Sequence, residues 1–506
     1  MSANTLATLN GFYKQIYGDS LINLIPESAK FIKEVPFERR KKLGDYYNVP
    51  VVLQAEQGFT YNNGDGTAFA LQGALAMGTK NAQVRGAEKV LQSQISYKAA
   101  AAATSNKEAF ADATSTLFEN MVESMSNRLE LSAFYGGGSL GSGSGSVNNS
   151  IGAATFARAT TTVTVTTANN HGLTTGDTIS FTDDSGNSVA LSTGVITVTG
   201  VKTFTATASA SGTVNAGAAC TIGPFVKSVS GSGTIAYYYI DKAQWSTGLW
   251  AGKVGAQLQF YQEDDSTLIS SSTDSIFTIS TIDPVYKRIK ITGSSTGVTA
   301  LLAVTEANFD GGINVYFNAS KSMDFLGINK IITTSGSLFG IDNSVYNLFK
   351  GSEYTASGAL SLSTIISATE NAVAQGLMED VCAYVPISAW NTLTSAQSGL
   401  RMYDQSYKNG GAENGFQSLT FYGANGKIEI EPHPIVKAGE VFIIPKKQFI
   451  RVGATDVTFQ TPGMDSTEIF LQLPSNAGYE VRAYADQALL CMAPAKCTKV
   501  TGFTVA

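Results

Sequence analysis

A chain of 506 residues, 43% hydrophobic and only 15% charged, is long enough for about three domains and apolar enough for real cores. Its net charge of −6 excludes a global basic field that would draw it to nucleic acid or to an anionic membrane. The first residues lack the basic and apolar regions of a signal peptide, and no run approaches the ~18 apolar residues of a membrane span. The cysteines Cys220, Cys382, Cys491 and Cys497 are sparse and lack metal-type spacing, so the chain reads as soluble and made in a reducing cytoplasm.

Residues 1–50 read as an N-terminal arm. Short apolar pieces around Phe12, Tyr13 and Ile16, and from Leu21 to Ile25, alternate with Gly11, Gly18 and Pro26. They are too short to build a core alone and are expected to lie on something else. The run Arg39, Arg40, Lys41, Lys42 reads as a solvated face or a contact with an acidic patch on a neighbour. DNA contact is the alternative, disfavoured by the acidic chain and by little aromatic interleaving.

Residues 51–98 read as a long hairpin-like excursion with its base strands. Val51-Val52-Leu53 opens it, and Asn62-Asn63-Gly64-Asp65-Gly66 is a turn that tolerates positive φ. Gly73, Gly78 and Gly86 loosen the segment, and Leu91 to Tyr97 alternates like the returning strand. A hairpin this rich in glycine cannot bury Phe59, Tyr61 and Phe69 against itself. Phe59, Tyr61, Asn63, Asp65 and Phe69 are therefore candidate contacts with a neighbour.

Residues 99–135 carry the strongest helix signal. Ser105-x-x-Glu108 has the form of a capping box, and Gly136 ends the pattern. Phe110, Leu117, Phe118, Met121, Val122, Met125 and Leu129 fall on one face, while Asp112, Glu119, Glu123 and Asn127 fall mainly elsewhere. Phe110, Leu117, Met121 and Met125 are the predicted core positions. A rod of about 42–45 Å with such a stripe needs a sheet or another helix against it.

Residues 136–155 form a Gly/Ser linker. Its Gly136-x-Gly138-x-x-Gly141 has the outline of a dinucleotide fingerprint, but a helix precedes it and more Gly-Ser comes after, the reverse of the required context. Residues 156–225 alternate Val163 and Val165 with Thr162, Thr164 and Thr166, with turn clusters between runs. They are predicted to form an inserted small all-β domain, sandwich- or barrel-like. Residues 226–475 are β-rich and then mixed α/β. Leu362 to Val373 forms a helix stopped by Gly376, and Ser388 is read as the cap of a short helix carrying Trp390 and Leu393. The tail, 476–506, alternates and then becomes wholly apolar at Leu489–Ala493, as a strand buried on both faces does.

Chemistry is sparse. The two histidines, His171 and His433, lie in turn-like contexts without ligand spacing. Cys491-x5-Cys497 sits among apolar residues and reads as two ordinary thiols. Glu263-Asp264-Asp265 lacks the spaced ligands of a calcium loop. Neither a nucleophile elbow nor a phosphate-binding loop is present. No enzyme activity, cofactor or metal is predicted.

The order of these parts resembles the major capsid proteins of tailed bacteriophages, the Hong Kong 97-type coat fold. Val49 to Gly58 looks like the start of that family's extended loop. Phe325-Leu326-Gly327-Ile328 with Ser337 to Ile341 looks like an axial-domain segment, and Asn425 to Ile430 like a strand near its surface. Tyr479 through Pro494 and Gly502 resembles the terminal strand returning to the peripheral domain. The resemblance covers most of the chain outside 136–225. It implies an α+β fold with N-arm, extended loop, spine helix in a peripheral domain, and axial domain. It also implies a homo-oligomer of pentamers and hexamers in an icosahedral shell, built in a bacterial cytoplasm around double-stranded DNA. The expected partners are scaffolding, portal and decoration proteins and, weakly, the packaged DNA, with no membrane. A β-rich tail-fibre or adhesin-type surface-binding protein is the alternative reading.

Overall fold

The computed structural model describes residues 29–39, 46–64, 66, 68–97, 107–142, 154–167, 180–182, 191–200, 202–209, 219–221, 226–228, 233–262, 265–270, 273–285, 287–302, 313–398, 419–460, 469–473 and 476–505. The fold is mixed α+β, in two compact units. The first comprises the described residues of 1–138, 322–436 and 440–506; the second comprises those of 139–321 with 437–439.

The chain enters the first unit through a one-turn helix α1 (Phe31–Glu34) and a short strand β1 (Phe37–Arg39). Strands β2 (Tyr46–Gln54) and β3 (Gly78–Arg85) pair as an antiparallel ribbon. Strand β4 (Ala87–Ser96) comes at once, and then the long helix α2 (Lys107–Tyr135). One expectation changes here. The returning strand of the excursion is β3, not Leu91–Tyr97. Lys80, Asn81, Gln83 and Arg85 hide the strand in the sequence, because only the small Ala82 and Val84 are buried. The stretch 91–96 instead pairs elsewhere, as part of β4. Ser105 of the expected capping box lies outside the described residues.

The second unit holds two β systems. In the first, β6 (Ala154–Ala159), β7 (Thr162–Thr167), β9 (Leu191–Val198) and β10 (Thr203–Ala208) form a four-stranded sheet in the order β6-β7-β10-β9. Val163, Val165, Ile196, Phe204 and Ala206 are buried in it, and Thr162, Thr166 and Thr207 are exposed, so period-2 patterning sets its faces. Strands β8 (Ser180–Thr182) and β11 (Ala219–Thr221) pair with each other. The other system is a seven-stranded antiparallel sheet. It contains β5 (Gly141–Ser142), β12 (Val226–Ser228), β13 (Ile235–Tyr239), β14 (Gln257–Tyr261), β15 (Phe277–Asp283), β16 (Arg288–Thr292) and β17 (Asn314–Phe317). Their order is β12-β13-β16-β15-β14-β17-β5, around buried Tyr238, Trp250, Phe260, Phe277 and Ile291. Residues 226–321, grouped by composition with residues 322–475, instead share this compact unit with 156–225. Charge returns just after residue 225, but the compact body does not end there.

Back in the first unit, β18 (Ser337–Leu338) and β19 (Ile341–Asp342) make a small hairpin. Beyond it lies a six-stranded sheet, built from β20 (Ser352–Thr355), β21 (Val381–Val385), β22 (Leu419–Gly423), β23 (Gly426–Pro432), β24 (Val441–Ile444) and β28 (Thr498–Thr501). Helices α3 (Leu362–Ala374) and α4 (Ile387–Ser398) cover it. Ile365, Ala368, Ala372, Ala389 and Leu393 share one core with Val381, Ala383, Ile428, Ile430 and Ile443. Ser361 caps α3 by accepting from Thr364 N, and Gly376 ends it at φ +95°. Ser388 does not cap α4; it lies inside the first turn, where Trp390 N already donates to Pro386 O.

The other sheet of this unit centres on β27 (Gly478–Cys491). It pairs antiparallel with β4, β25 (Phe449–Thr458) and β26 (Leu471–Gln472), and β1 adds parallel to β25. From Ala485 to Cys491 every residue of β27 is buried, as the apolar tail suggested. The chain does not end in this sheet, however: β28 crosses to the six-stranded one.

Candidate functional site

The excursion between β2 and β3 carries a run of apolar side chains that its own unit does not cover. At the ribbon's base, Tyr47, Val49, Leu53, Ala82 and Val84 are buried, so one face is docked. Gln83 N donates to Phe339 O at 2.8 Å, and the Tyr47 hydroxyl reaches Asp486 Oδ2 at 3.5 Å. Burial and the Asp486 carboxylate push the Tyr47 phenol well above its usual range, so it stays a neutral donor. Beyond Gln54 the strand ladder stops. Residues 55–77 carry Phe59, Tyr61, Phe69, Leu71, Leu75 and Met77, all exposed, Tyr61 at 90% and Leu71 at 81%. Hydrogen bonds across the excursion include Gln57 N to Leu75 O at 3.4 Å and Gln72 N to Thr60 Oγ1 at 2.8 Å. Gly64 and Gly66 take φ of +73° and +80°, the left-handed turn conformation that Asn-Gly and Asp-Gly signal. Asn63 is exposed and its N–H is taken by Asn62 Oδ1; Asp65 lies outside the described residues.

Of the basic run, Arg39 is described, and Arg40, Lys41 and Lys42 lie outside the described residues. Arg39 Nε donates to Ala454 O at 2.9 Å, so part of its guanidinium is engaged within the unit. The segment around it is anchored more deeply than an arm. Phe31 is fully buried, its ring 5.7 Å from Phe134, 5.8 Å from Phe449 and 6.0 Å from Tyr384. Lys446 Nζ joins Glu34 of α1 at 2.6 Å and Glu431 of β23 at 2.7 Å.

The anchor's centre is Glu130, fully buried on α2. Its Oε1 accepts from Phe31 N at 2.8 Å and Lys30 N at 3.2 Å, and its Oε2 from Ile32 N at 2.8 Å. A side chain 100 residues away thus binds the N–H groups that start α1, the groups a short helix leaves unsatisfied. His433 completes the set, its Nε2 lying 2.9 Å from Glu130 Oε1. Its Nδ1 accepts from Ile435 N at 3.3 Å, so the proton of a neutral ring sits on Nε2 and is donated to Glu130. Sequence reasoning placed His433 in a structural turn and missed Glu130 altogether. The available signal was one carboxylate inside an otherwise uncharged, mostly apolar stretch, Leu129 to Tyr135, of a helix.

Along α2, Met121 and Met125 are buried and Leu117 is half-buried. The Phe110 side chain lies outside the described residues. Two positions depart from the predicted stripe: Val122 is exposed and Asn127 is buried. The stripe also widens, because Leu129 through Tyr135 is buried on every side. There Ser132 Oγ donates to Asp324 Oδ2 at 2.6 Å, and Lys89 Nζ meets Asp324 Oδ1 at 2.8 Å, 4.4 Å from the Phe325 ring centroid. Burial lowers the Lys89 ammonium's pKa, against the opposing pull of Asp324. Next to this cluster Gly327 N donates to Gly136 O at 2.9 Å. A Cβ on Gly136 would stand 2.2 Å from Phe325 O, so only glycine permits the two segments to touch.

Among the described residues no group of three or more His, Cys, Asp or Glu could hold a metal, and no helix is long and apolar enough to cross a membrane.

No protein family matches the chain, and no curated protein matches it. Solved structures similar to it include phage capsids. The capsid asymmetric unit of cyanophage A-1(L) aligns at 9% identity over 99% of both chains, with a TM-score of 0.44. A structure from Mycobacterium phage Bobi aligns at 8% identity over 100% of both chains, with a TM-score of 0.39. The capsid of cyanophage P-SCSP1u aligns at 8% identity over 100% of this chain and 97% of its own, with a TM-score of 0.37.

Proposed function

We propose that the chain is the major capsid protein of a tailed bacteriophage, of the Hong Kong 97 type, which self-assembles into the icosahedral shell around double-stranded DNA. One observation carries the reading: residues 55–77 project six exposed apolar side chains from a ribbon whose base is firmly docked. A surface built this way is finished by another molecule. In a shell of identical chains that molecule is a second copy, bound through a heterologous contact that closes into rings. The long α2, the β27 sheet, the six-stranded sheet with α3 and α4, and the strand segments that carry the resemblance support the same reading. The 156–225 strands then form an added β-module, the protein acts structurally rather than as an enzyme, and its place is the virion capsid after assembly in the host cytoplasm. Scaffolding, portal and decoration proteins are its proposed partners, with weak non-specific contact to the packaged DNA.

The test separates folding from assembly. Phe59→Ala with Phe69→Ala is expected to leave the melting of the unassembled subunit nearly unchanged, because both rings are already in solvent. The same double change is expected to abolish or weaken shells, at about 1–3 kcal/mol per lost anchor. Sedimentation of the assembly reaction beside subunit melting measures both. Normal shells with a large fall in subunit melting temperature would remove the excursion from assembly; a protein that stays strictly monomeric even when expressed with its phage partners would overturn the coat reading.

A further inference from the structure

The spacing Cys491-x5-Cys497 reads as two ordinary thiols in the sequence, yet the fold brings their sulfur atoms to 3.8 Å. Cys491 is the last residue of β27, opposite Phe449 of β25. Cys497 directly precedes β28, and its carbonyl accepts from Ser352 N at 3.0 Å. Between them the chain reverses through the turn Pro494–Lys496. Lys496 N to Ala493 O at 3.1 Å and Cys497 N to Pro494 O at 3.0 Å close that turn, and Pro494 restricts it further. Both cysteines are fully buried, facing each other at the point where the chain passes from one sheet of the first unit to the other.

We propose that Cys491 and Cys497 form a redox pair: two thiols in contact in a reducing compartment, and a disulfide once the protein meets a glutathione-type disulfide oxidant. A disulfide needs the sulfurs at about 2.05 Å, a closure of about 1.8 Å, of the size that rotation about χ1 provides. The bond would tie the five-stranded sheet covalently to the six-stranded one.

The same burial governs how the bond forms. It pushes the Cys497 thiol well above its ordinary range, and the hydrogen bond with Cys491 adds to this. The thiolate is the reacting species, so exchange proceeds through opening of the 492–496 turn, where Met492 is exposed. One cysteine thiolate attacks the oxidant, giving a mixed disulfide and a glutathione thiolate. The second cysteine thiolate attacks the protein sulfur of that mixed disulfide and releases the second glutathione. Two protein thiols thereby lose two electrons and two protons, and one small disulfide becomes two thiols.

The experiment uses the folded, full-length protein incubated with oxidised glutathione at mildly alkaline pH. Free thiols are then alkylated in denaturant and the chain is digested with trypsin. Cleavage after Lys496 puts the two cysteines in separate peptides, so a bridge is read directly as a linked pair. The expected result is that pair, a mass lower by about 2 Da, and full reversal by dithiothreitol. Cys491→Ser should abolish the link; if it fails to fold, Cys497→Ala makes the same comparison. Stable glutathione adducts on either cysteine, or both thiols still alkylatable after incubation, would overturn the proposal. None of these readouts depends on shell formation.

Discussion

Replacing Glu130 with alanine would strand four donors at once: the N–H groups of Lys30, Phe31 and Ile32, and His433 Nε2. Losing one partner of a buried, hydrogen-bonded carboxylate costs about 3–5 kcal/mol. Glu130→Ala is therefore expected to lower stability by that amount in urea unfolding. Trypsin should also cut sooner at Lys33, because the α1 segment loses its anchor. An unchanged urea midpoint with unchanged cleavage at Lys33 would show that Phe31 alone holds the segment. A second carboxylate sets an acid dependence. Burial raises the pKa of Glu379, but hydrogen bonds from Lys496 and Gln448 outweigh this and leave it below the ordinary value. A depressed folded value stabilises the fold above the unfolded pKa of about 4.3, and the contribution fades as pH falls through the lowered one. Glu379→Gln should therefore flatten the acid limb of the stability curve and leave its shape at neutral pH alone. An acid limb as steep as the parent's would mean that other carboxylates set it.

At the scale of elements, α2 distinguishes two substitutions that its sequence pattern treats alike. Met121 is buried and Leu117 half-buried. Met121→Asp should cost about 3–5 kcal/mol and give insoluble protein, because a lone buried charge has no partner. Leu117→Asp should cost about 1–2 kcal/mol and remain soluble. Equal soluble yields of the two would show that the stripe is misplaced. The helix itself was legible because three- and four-residue spacing is a local signal, and so was the apolar end of β27. Three other features were not. The β1 strand is three residues long and exists because Phe37, Glu38 and Arg39 find Arg451, Val452 and Gly453, far along the chain. The β3 strand buries only Ala82 and Val84, too small to mark a face. The burial of Phe31 depends on Phe134, Tyr384 and Phe449, which no local window contains. In the excursion the reverse holds. Glycine turns and a surplus of aromatic side chains are visible residue by residue, so that segment could be read without knowing what it packs on.

On the scale of the whole molecule, the stretch 139–321 departs from the first unit two residues after Gly136 and returns five residues before Gly327, the two glycines joined by a backbone hydrogen bond. Replacing 139–321 with a short Gly-Ser joint should therefore leave the first unit folded, with one cooperative melting transition. A cost of about 1–3 kcal/mol is expected at Lys437, whose acceptors Ser139 O and Gln244 Oε1 go with the deleted residues. Loss of the transition in calorimetry would mean that the first unit depends on the second for its fold. The same division orders events during synthesis. Apart from Lys437–Gly439, the second unit is one continuous stretch and can begin to fold as it leaves the ribosome. The first unit cannot. Strand β4 is made early, and its partner β27 comes near the end of the chain, with Ser96 opposite Gly478. At ordinary elongation rates of about 5–20 residues per second, that edge waits roughly 20–80 s for its partner. Throughout that interval the nascent chain has no β27 sheet, and the ribbon's Tyr47 lacks its partner Asp486. Strand β27 therefore acts as a timer, keeping the excursion from being presented in its docked form until residues 478–491 have been made.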